Sequence, residues 1–283
     1  YKKQKEEGIE SLTNLLNDDN LIENDDFIVE DHPQFNKLID EIENSKVQYL
    51  FTMGKGGVGK TTVATQLATA LSNKGYRVLL ATTDPTKEIN VETTSNLNTA
   101  YIDEEQALEK YKKEVLATVN DDTPQDDIDY IMEDLKSPCT EEIAFFKAFS
   151  DIMENQDDMD YVIVDTAPTG HTLLLLDSSE NHHRELKKKS TQTTSNVETL
   201  LPKIQNKNLT QMIIVTLAEK TPYLESKRLV EDLNRANIGH NWWVVNQSLV
   251  TLNQRDDLFS NKKEDESFWI NKIKNESFDN YFV

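Results

Sequence analysis

The chain has 283 residues, a formal net charge of −21 and a pI near 4.6. That acidity excludes binding along nucleic acid, where phosphate contacts need clustered Lys and Arg. No apolar run reaches the roughly 18–20 residues of a membrane-spanning helix, and no signal peptide opens the sequence. A single cysteine excludes an internal disulfide framework and suits a reducing compartment, so the composition points to a soluble intracellular protein with chain enough for a substantial core.

In chain order, residues 1–46 are charged and poor in apolar side chains. Short helical patterns (Ile9, Leu12, Leu15, Leu16; Phe35, Leu38, Ile39, Ile42) flank an acidic middle that reads as a linker. The texture then changes. "VQYLFTM" (47–53) is an apolar run ending at a glycine, and helical periodicity follows through Val63, Leu67, Ala70 and Leu71. "YRVLLAT" (76–82), "YVIVDT" (161–166), "QMIIVTL" (211–217) and "WWVVN" (242–246) share the first run's texture. Separated by helix-length stretches, they predict an α/β fold with βα units on a parallel twisted sheet buried on both faces. Trp242 and Trp243, adjacent in one strand, face opposite sides of it.

The long stretch between the second and third of these strands is acidic and helical in pattern, notably at 103–119 and 140–153. It predicts an inserted helical subdomain over about residues 100–158. "KKKSTQTTSN" (187–196) reads as a basic loop, and His182 and His183 as surface residues.

Residues Gly54 to Thr61, "GKGGVGKT", have the form G-x-x-x-x-G-K-[ST] between a strand and a helix. This is the context a phosphate-binding P-loop requires. Backbone N–H groups from Gly54, Lys55, Gly56, Gly57, Val58, Gly59, Lys60, Thr61 and Thr62 would surround the phosphates, aided by the helix N-terminus. Lys60 would reach the β- and γ-phosphates of ATP, and the Thr61 hydroxyl would ligate Mg²⁺. Asp84 and Asp165 close the next runs, at the strand ends where open α/β sheets place ligands. A carboxylate there can orient an attacking water, hold Mg²⁺ through its water shell, or cap the following helix.

The second lysine of the loop, Lys55, makes "GKGGVGKTT" similar to the deviant Walker A motif of an ATPase class that includes the partition, nitrogenase-iron-protein and arsenite-pump families. In that class it reaches the phosphates of a neighbouring subunit or half, where a second cation offsets charge developing on the phosphoryl oxygens. Together with "SPCTEEIAFFKAFS" (137–150), "DTAPTGHTLLLLD" (165–177), "TLAEKTPYLES" (216–226) and "VVNQSL" (244–249), the loop resembles the arsenite-pump ATPase family over nearly all of residues 46–260.

The resemblance implies a P-loop ATPase that couples ATP hydrolysis to arsenite or antimonite export. Asp84 would act on water with Lys55 and Lys60 as the catalytic cations, Asp165 would lie near Mg²⁺, and Asn246 would read adenine. Cys139, His171 and Ser137 match a half-site for As(III) or Sb(III). "KSPCTEEIA" resembles the second half of a tandem chain. Residues 1–16 would then be the tail of a preceding half, 17–46 an interdomain linker, and 47–283 the ATPase domain. Partners implied are a homologous ATPase half and a membrane arsenite permease, which would hold a cytoplasmic protein at the inner face of the cell membrane. One departure stands out: after Asp84 and Pro85 the family has small residues and a His or Asn, whereas "TKEIN" places Lys87 and Glu88 there.

Three other readings compete. A tail-anchored-protein targeting ATPase would carry a CxxC pair and a Met-rich groove, against one Cys and five Met here. A nucleotide-binding regulatory half with little turnover would fit the altered segment after Asp84. A partition or septum-positioning switch needs a basic or amphipathic element that the charge of −21 disfavours.

Overall fold

The computed structural model of the chain describes residues 32–82, 95–117, 119–120, 123–137, 140–141, 144, 147–149, 151, 158–165, 202–251 and 257–283. Its elements are α1 (Phe35–Ser45), β1 (Tyr49–Met53), α2 (Lys60–Asn73), β2 (Val78–Thr82), β3 (Leu97–Tyr101), α3 (Glu104–Leu116) and α4 (Gln125–Asp134). They are followed by β4 (Tyr161–Asp165), β5 (Thr210–Leu217), α5 (Lys220–Arg235), β6 (Trp242–Asn246), α6 (Asp257–Glu276) and β7 (Tyr281–Phe282). Seven strands form one sheet in the order β3-β2-β4-β1-β5-β6-β7, and the pairings along it are all parallel.

Burial follows from the apolar runs. Every residue of β1, β2 and β4 is buried, as expected of central strands covered on both faces. Alternation along each strand sends odd and even positions to different cores. Tyr49, Phe51, Val162, Val164, Met212, Ile214, Trp243 and Val245 face a first core closed by α5 (Leu229, Val230, Leu233) and α6 (Ile270, Ile273). Leu50, Val78, Leu80, Ile163, Ile213, Val215, Trp242 and Val244 face a second core closed by α1 and α2. The two adjacent tryptophans thus pack on opposite faces, and Trp242 Nε1 donates to Glu41 Oε2 at 2.8 Å.

Three elements differ from the sequence reading. β3 falls at the start of the stretch read as helical, and its last residues overlap the insert expected from about residue 100. Its sequence, "LNTAY", buries only Leu97 and exposes Asn98, Thr99 and Tyr101, because an edge strand needs no apolar run. β7 is only two residues long, too short for a periodic signal. The third is α1, which lies in the stretch read as linker. Leu38, Ile39 and Ile42 are 0%, 4% and 0% exposed and pack into the second core. Lys74 at the end of α2 bonds Asp40 at 3.1 Å and also Glu43, both on α1. Truncating Leu38 to Ala would cost about 2–5 kcal/mol, the usual range for a buried leucine. Residues His32–Val283 form one compact unit, and at its start His32 Nδ1 lies 3.0 Å from Tyr281 Oη on β7.

The insert is helical, as its pattern implies. Asp103 caps α3 by accepting from Gln106 N at 2.9 Å, and Glu104 and Glu105 favour the positive end of the helix. Backbone at 140–141, 144, 147–149 and 151 is helical too. It is tied to α3 by Lys110–Asp151 at 2.8 Å and by Lys147–Glu114. Phe149, fully buried, meets Phe51 of β1 edge to face at 5.0 Å, which anchors the insert on the first core.

Candidate functional site

The sheet order places β1 at the point where the chain changes direction: β4 and β2 lie on one side, β5 and β6 on the other. Crevices at such switch points, beyond the carboxyl ends of the strands, are where open α/β sheets bind ligands. The loop from Gly54 to Gly59 leaves β1 at this place and feeds α2.

Two glycines of the loop are dictated by close approach. A Cβ on Gly54 would stand 2.1 Å from the Val215 carbonyl oxygen of the neighbouring β5, so the chain can leave the sheet here only without a side chain. Gly59 combines a φ of +90° with a position where a Cβ would lie 2.2 Å from Asn246 Nδ2. Asn246, at the end of β6, donates from Nδ2 to the Val58 carbonyl at 2.9 Å. Lys60, the first residue of α2, reaches back across the loop and donates to the Lys55 carbonyl at 3.2 Å. Lys55, Gly56 and Gly57 are exposed, Val58 is buried, and Thr61 is half-buried at the helix start.

Strand register builds the rest. Thr82, Asp165 and Thr52 pair laterally, forming one row across β2, β4 and β1. Counting by twos from Leu50, Leu80, Ile163 and Val244 puts Thr52, Thr82, Asp165 and Asn246 on one face, the face α2 covers. Asp165 is 5% exposed. Thr52 Oγ1 and Thr82 Oγ1 each lie 3.5 Å from one of its carboxylate oxygens. Among the described residues, contacts this long hold the carboxylate only weakly, and a carboxylate of this kind can take a stronger, charged partner. Sequence reasoning found Asp165 but missed Thr52 and Thr82. Their only signal is a threonine near the end of each apolar run, meaningful once the register is known.

The structure thus gathers Gly54, Lys55, Gly56, Gly57, Val58, Gly59, Lys60, Thr61, Thr62, Asp165 and Asn246 at one edge of the sheet. Ser137 lies in a half-buried bend after α4, where its carbonyl accepts from Thr140 N at 3.0 Å. Asp84, Cys139 and His171 lie outside the described residues, as do Lys87, Glu88, His182, His183, residues 187–196 and the first 31 residues. Among the described residues no group of three or more His, Cys, Asp or Glu is placed to hold a metal ion by itself. No described helix is long and apolar enough to cross a membrane.

A nucleotide with Mg²⁺ fits this chemistry. The loop offers backbone N–H groups where side chains are excluded, a hydroxyl at Thr61 and a buried carboxylate one strand away.

Known proteins agree with this architecture. The sequence matches the anion-transporting ATPase family over residues 47–201 and 178–283. It is 39% identical over 246 residues to an arsenical pump-driving ATPase of Acidiphilium multivorum, covering 86% of this chain and 42% of that protein. It is 37% identical over 280 residues to an Escherichia coli protein of the same name, covering 95% of this chain and 47% of that one. A putative arsenical pump-driving ATPase 2 of Aquifex aeolicus is 32% identical over 268 residues, with 81% of this chain and 89% of that protein aligned. The chain therefore spans less than half the length of the first two relatives and most of the third. On the extent of these matches and on the P-loop α/β sheet beneath them, the chain belongs to the anion-transporting ATPase family.

Proposed function

We propose that this chain is one half, the second, of a two-half ATPase that couples ATP hydrolysis to arsenite or antimonite efflux and is stimulated by the trivalent metalloid. The observation that carries the reading is the row Thr82–Asp165–Thr52 set beside the Gly54–Thr61 loop on the face of α2. It joins a phosphate cradle to a buried acid, as phosphoryl transfer requires. The resemblance to arsenical pump-driving ATPases supplies the metal-resistance context.

In this reading the backbone N–H groups from Gly54 to Thr62 bind the ATP phosphates. Lys60 exchanges its bond to the Lys55 carbonyl for the β- and γ-phosphate oxygens. Thr61, Asp84 and Asp165 would hold Mg²⁺, directly or through its water shell, and the ion would supply positive charge beside the phosphoryl oxygens. Asp84 orients the attacking water. Lys55, exposed at the mouth of the loop, serves the site of a facing homologous half, so hydrolysis depends on the two halves closing together. Cys139 and His171, with Ser137, provide part of a metalloid site that the other half completes. Since trivalent arsenic and antimony favour three soft or borderline ligands, one cysteine is too few. His171 follows Asp165 by six residues, so ligation there bears on the Mg²⁺-side carboxylate. A membrane permease would be the partner through which the ATPase acts at the inner face of the cell membrane.

The test is ATP turnover by the chain joined to a homologous first half, with and without antimonite. Stimulation is the expected result. A tenfold rise corresponds to about 1.4 kcal/mol of coupling. Cys139→Ser should keep basal turnover and respond weakly. Equal stimulation of that variant removes the metalloid site from Cys139. Turnover indifferent to antimonite in the parent removes the efflux reading and leaves an ATPase.

A further inference from the structure

α6 buries Lys263, Glu266, Ile270 and Ile273, a stripe at helical spacing whose apolar part turns charged towards the helix N-terminus. Because α6 joins β6 to the parallel β7, that N-terminal half lies towards the carboxyl edge of the sheet, where the loop site is. Glu266 is only 3% exposed, and a buried carboxylate is costly unless it is bonded. Its Oε2 accepts from Ser248 Oγ at 2.9 Å and from Leu249 N at 2.6 Å, while Oε1 is 3.8 Å from Lys262 Nζ. Ser248 Oγ in turn accepts from Val250 N at 3.3 Å. Glu266 therefore fixes the turn that leaves β6. That turn begins at Gln247, whose φ of +57° is uncommon for a residue with a side chain.

The residue before Gln247 is Asn246, whose Nδ2 donates to the Val58 carbonyl inside the phosphate loop. In a trans peptide the carbonyl and the following N–H point in opposite directions. With the Val58 carbonyl committed to Asn246, the N–H of Gly59 must point away from β6. A Cβ on Gly59 would stand 2.2 Å from the same amide, so glycine here leaves Asn246 in place on the Val58 carbonyl.

We propose that Asn246 and Glu266 form a brace that presets the phosphate loop: Asn246 holds the Val58–Gly59 peptide, and Glu266 holds the turn that delivers Asn246. The proposal rests on the phosphate-loop reading above. It gives Asn246 a role beyond adenine recognition and makes Glu266 a positioning residue 20 positions further along the chain. Base occupancy and phosphate binding would then share one side chain.

Tripolyphosphate separates the two roles of Asn246, because it has the phosphates of ATP and no base. Calorimetric titration of the 283-residue chain with Mg²⁺–tripolyphosphate and with Mg²⁺–ATP is the experiment. Asn246→Ala should weaken tripolyphosphate about fivefold, the size of one lost neutral hydrogen bond, and ATP at least as much. Parental affinity for tripolyphosphate in that variant overturns the brace while leaving the loop as the phosphate site.

Glu266→Ala should show a similar loss, and Glu266→Gln, which keeps an acceptor oxygen, should recover most of it. The double variant Asn246→Ala/Glu266→Ala should be no weaker than Asn246→Ala alone, and additive losses overturn the action of Glu266 through Asn246. If Glu266→Ala fails to fold by circular dichroism, Ser248→Ala carries the same comparison. Tripolyphosphate affinity unchanged in Ser248→Ala then removes the Ser248 arm, since Glu266 still accepts from Leu249 N, and the brace stands or falls on Asn246→Ala. A parent chain that binds neither ligand overturns the phosphate-loop reading, and the brace with it.

Discussion

The two ends of the sheet treat polar groups differently. At the amino ends of the strands, contacts are short and closed. Asp160 Oδ2 accepts from Arg77 N at 2.7 Å, Gln48 Nε2 donates to the Met159 carbonyl at 2.8 Å, and Gln211 Nε2 to the Lys207 carbonyl at 2.6 Å. At the carboxyl ends Asp165 has its two threonine neighbours at 3.5 Å. Crowding there, by the Val215 carbonyl at Gly54 and by the Asn246 side-chain amide at Gly59, leaves no room for a side chain. Short, saturated contacts mark scaffolding, whereas a buried carboxylate held at long range keeps its capacity for a cation or a proton donor. Asp165 differs even from its own end of the sheet, where Asn246–Val58 at 2.9 Å and Leu249–Glu266 at 2.6 Å are as short as the amino-end contacts.

The largest effect that would break this contrast belongs to Lys60. Lys60→Ala removes the cation that spans the loop and should abolish nucleotide binding, at least a hundredfold in affinity if one charge-assisted contact to phosphate counts about 3 kcal/mol. Its melting temperature should stay close to the parent's, because Lys60 is half-exposed at the helix start and its bond to the Lys55 carbonyl lies in an exposed part of the loop. ATP affinity within threefold of the parent's would mean that the loop is not the phosphate site.

A matched pair of aspartates sharpens the contrast. Asp165→Asn keeps shape and burial but loses the charge. Mg²⁺-dependent strengthening of ATP binding should disappear while the melting temperature changes little. Asp160→Asn should do the reverse. It weakens the acceptor for Arg77 N and for the guanidinium at 3.5 Å. The stability loss is about 1 kcal/mol at most, discounted because Asp160 is 39% exposed. Nucleotide binding should be untouched. Arg77, chiefly through its backbone N–H, holds the Asp160 carboxyl below its ordinary range. Its contribution is present at neutral pH and is lost only as the pH falls below about 4. If the two variants gave the same pattern, the ends of the sheet would not differ in kind.

Much of the sheet was legible because central parallel strands leave continuous apolar runs. The run at 242–246 coincides with β6, and those at 47–53, 76–82, 161–166 and 211–217 contain or overlap β1, β2, β4 and β5. β3 was not legible, because an edge strand with exposed Asn98 and Thr99 carries no such run. α1 showed its periodicity, but not that Leu38, Ile39 and Ile42 bury into the second core or that Asp40 and Glu43 pair with Lys74. At the site, the glycines, Lys60 and Asp165 announce themselves by motif. Thr52 and Thr82 acquire meaning from register, and the bond from Asn246 to Val58 joins residues 188 positions apart. Glu266 sits in "NKKEDESFW", which reads as a solvated face until the fold buries it.

The smallest effect concerns Tyr161, at the amino end. Its ring is 6% exposed and meets Tyr76 edge to face at 5.1 Å. Burial, reinforced by the neighbouring Tyr76 and Glu43, pushes its phenol up to about 12 from an ordinary value near 10. Between those values the unfolded chain loses the Tyr161 proton while the folded chain keeps it, so the unfolded state binds fewer protons and stability falls as the pH rises. The contribution is fully present below pH 10 and is lost through the alkaline window up to about pH 12. Tyr161→Phe keeps the ring and removes the proton, so its urea midpoint should fall less between pH 9 and pH 11 than the parent's does. Some slope should remain, because the Tyr76 phenol is also raised, first by its hydrogen bond with Glu43. ATP affinity at neutral pH should equal the parent's, since Tyr161 stands at the opposite end of β4 from Asp165. An identical alkaline slope in parent and variant would show that the phenol is not held neutral by the fold, and the amino end would then be less sealed than its short contacts imply.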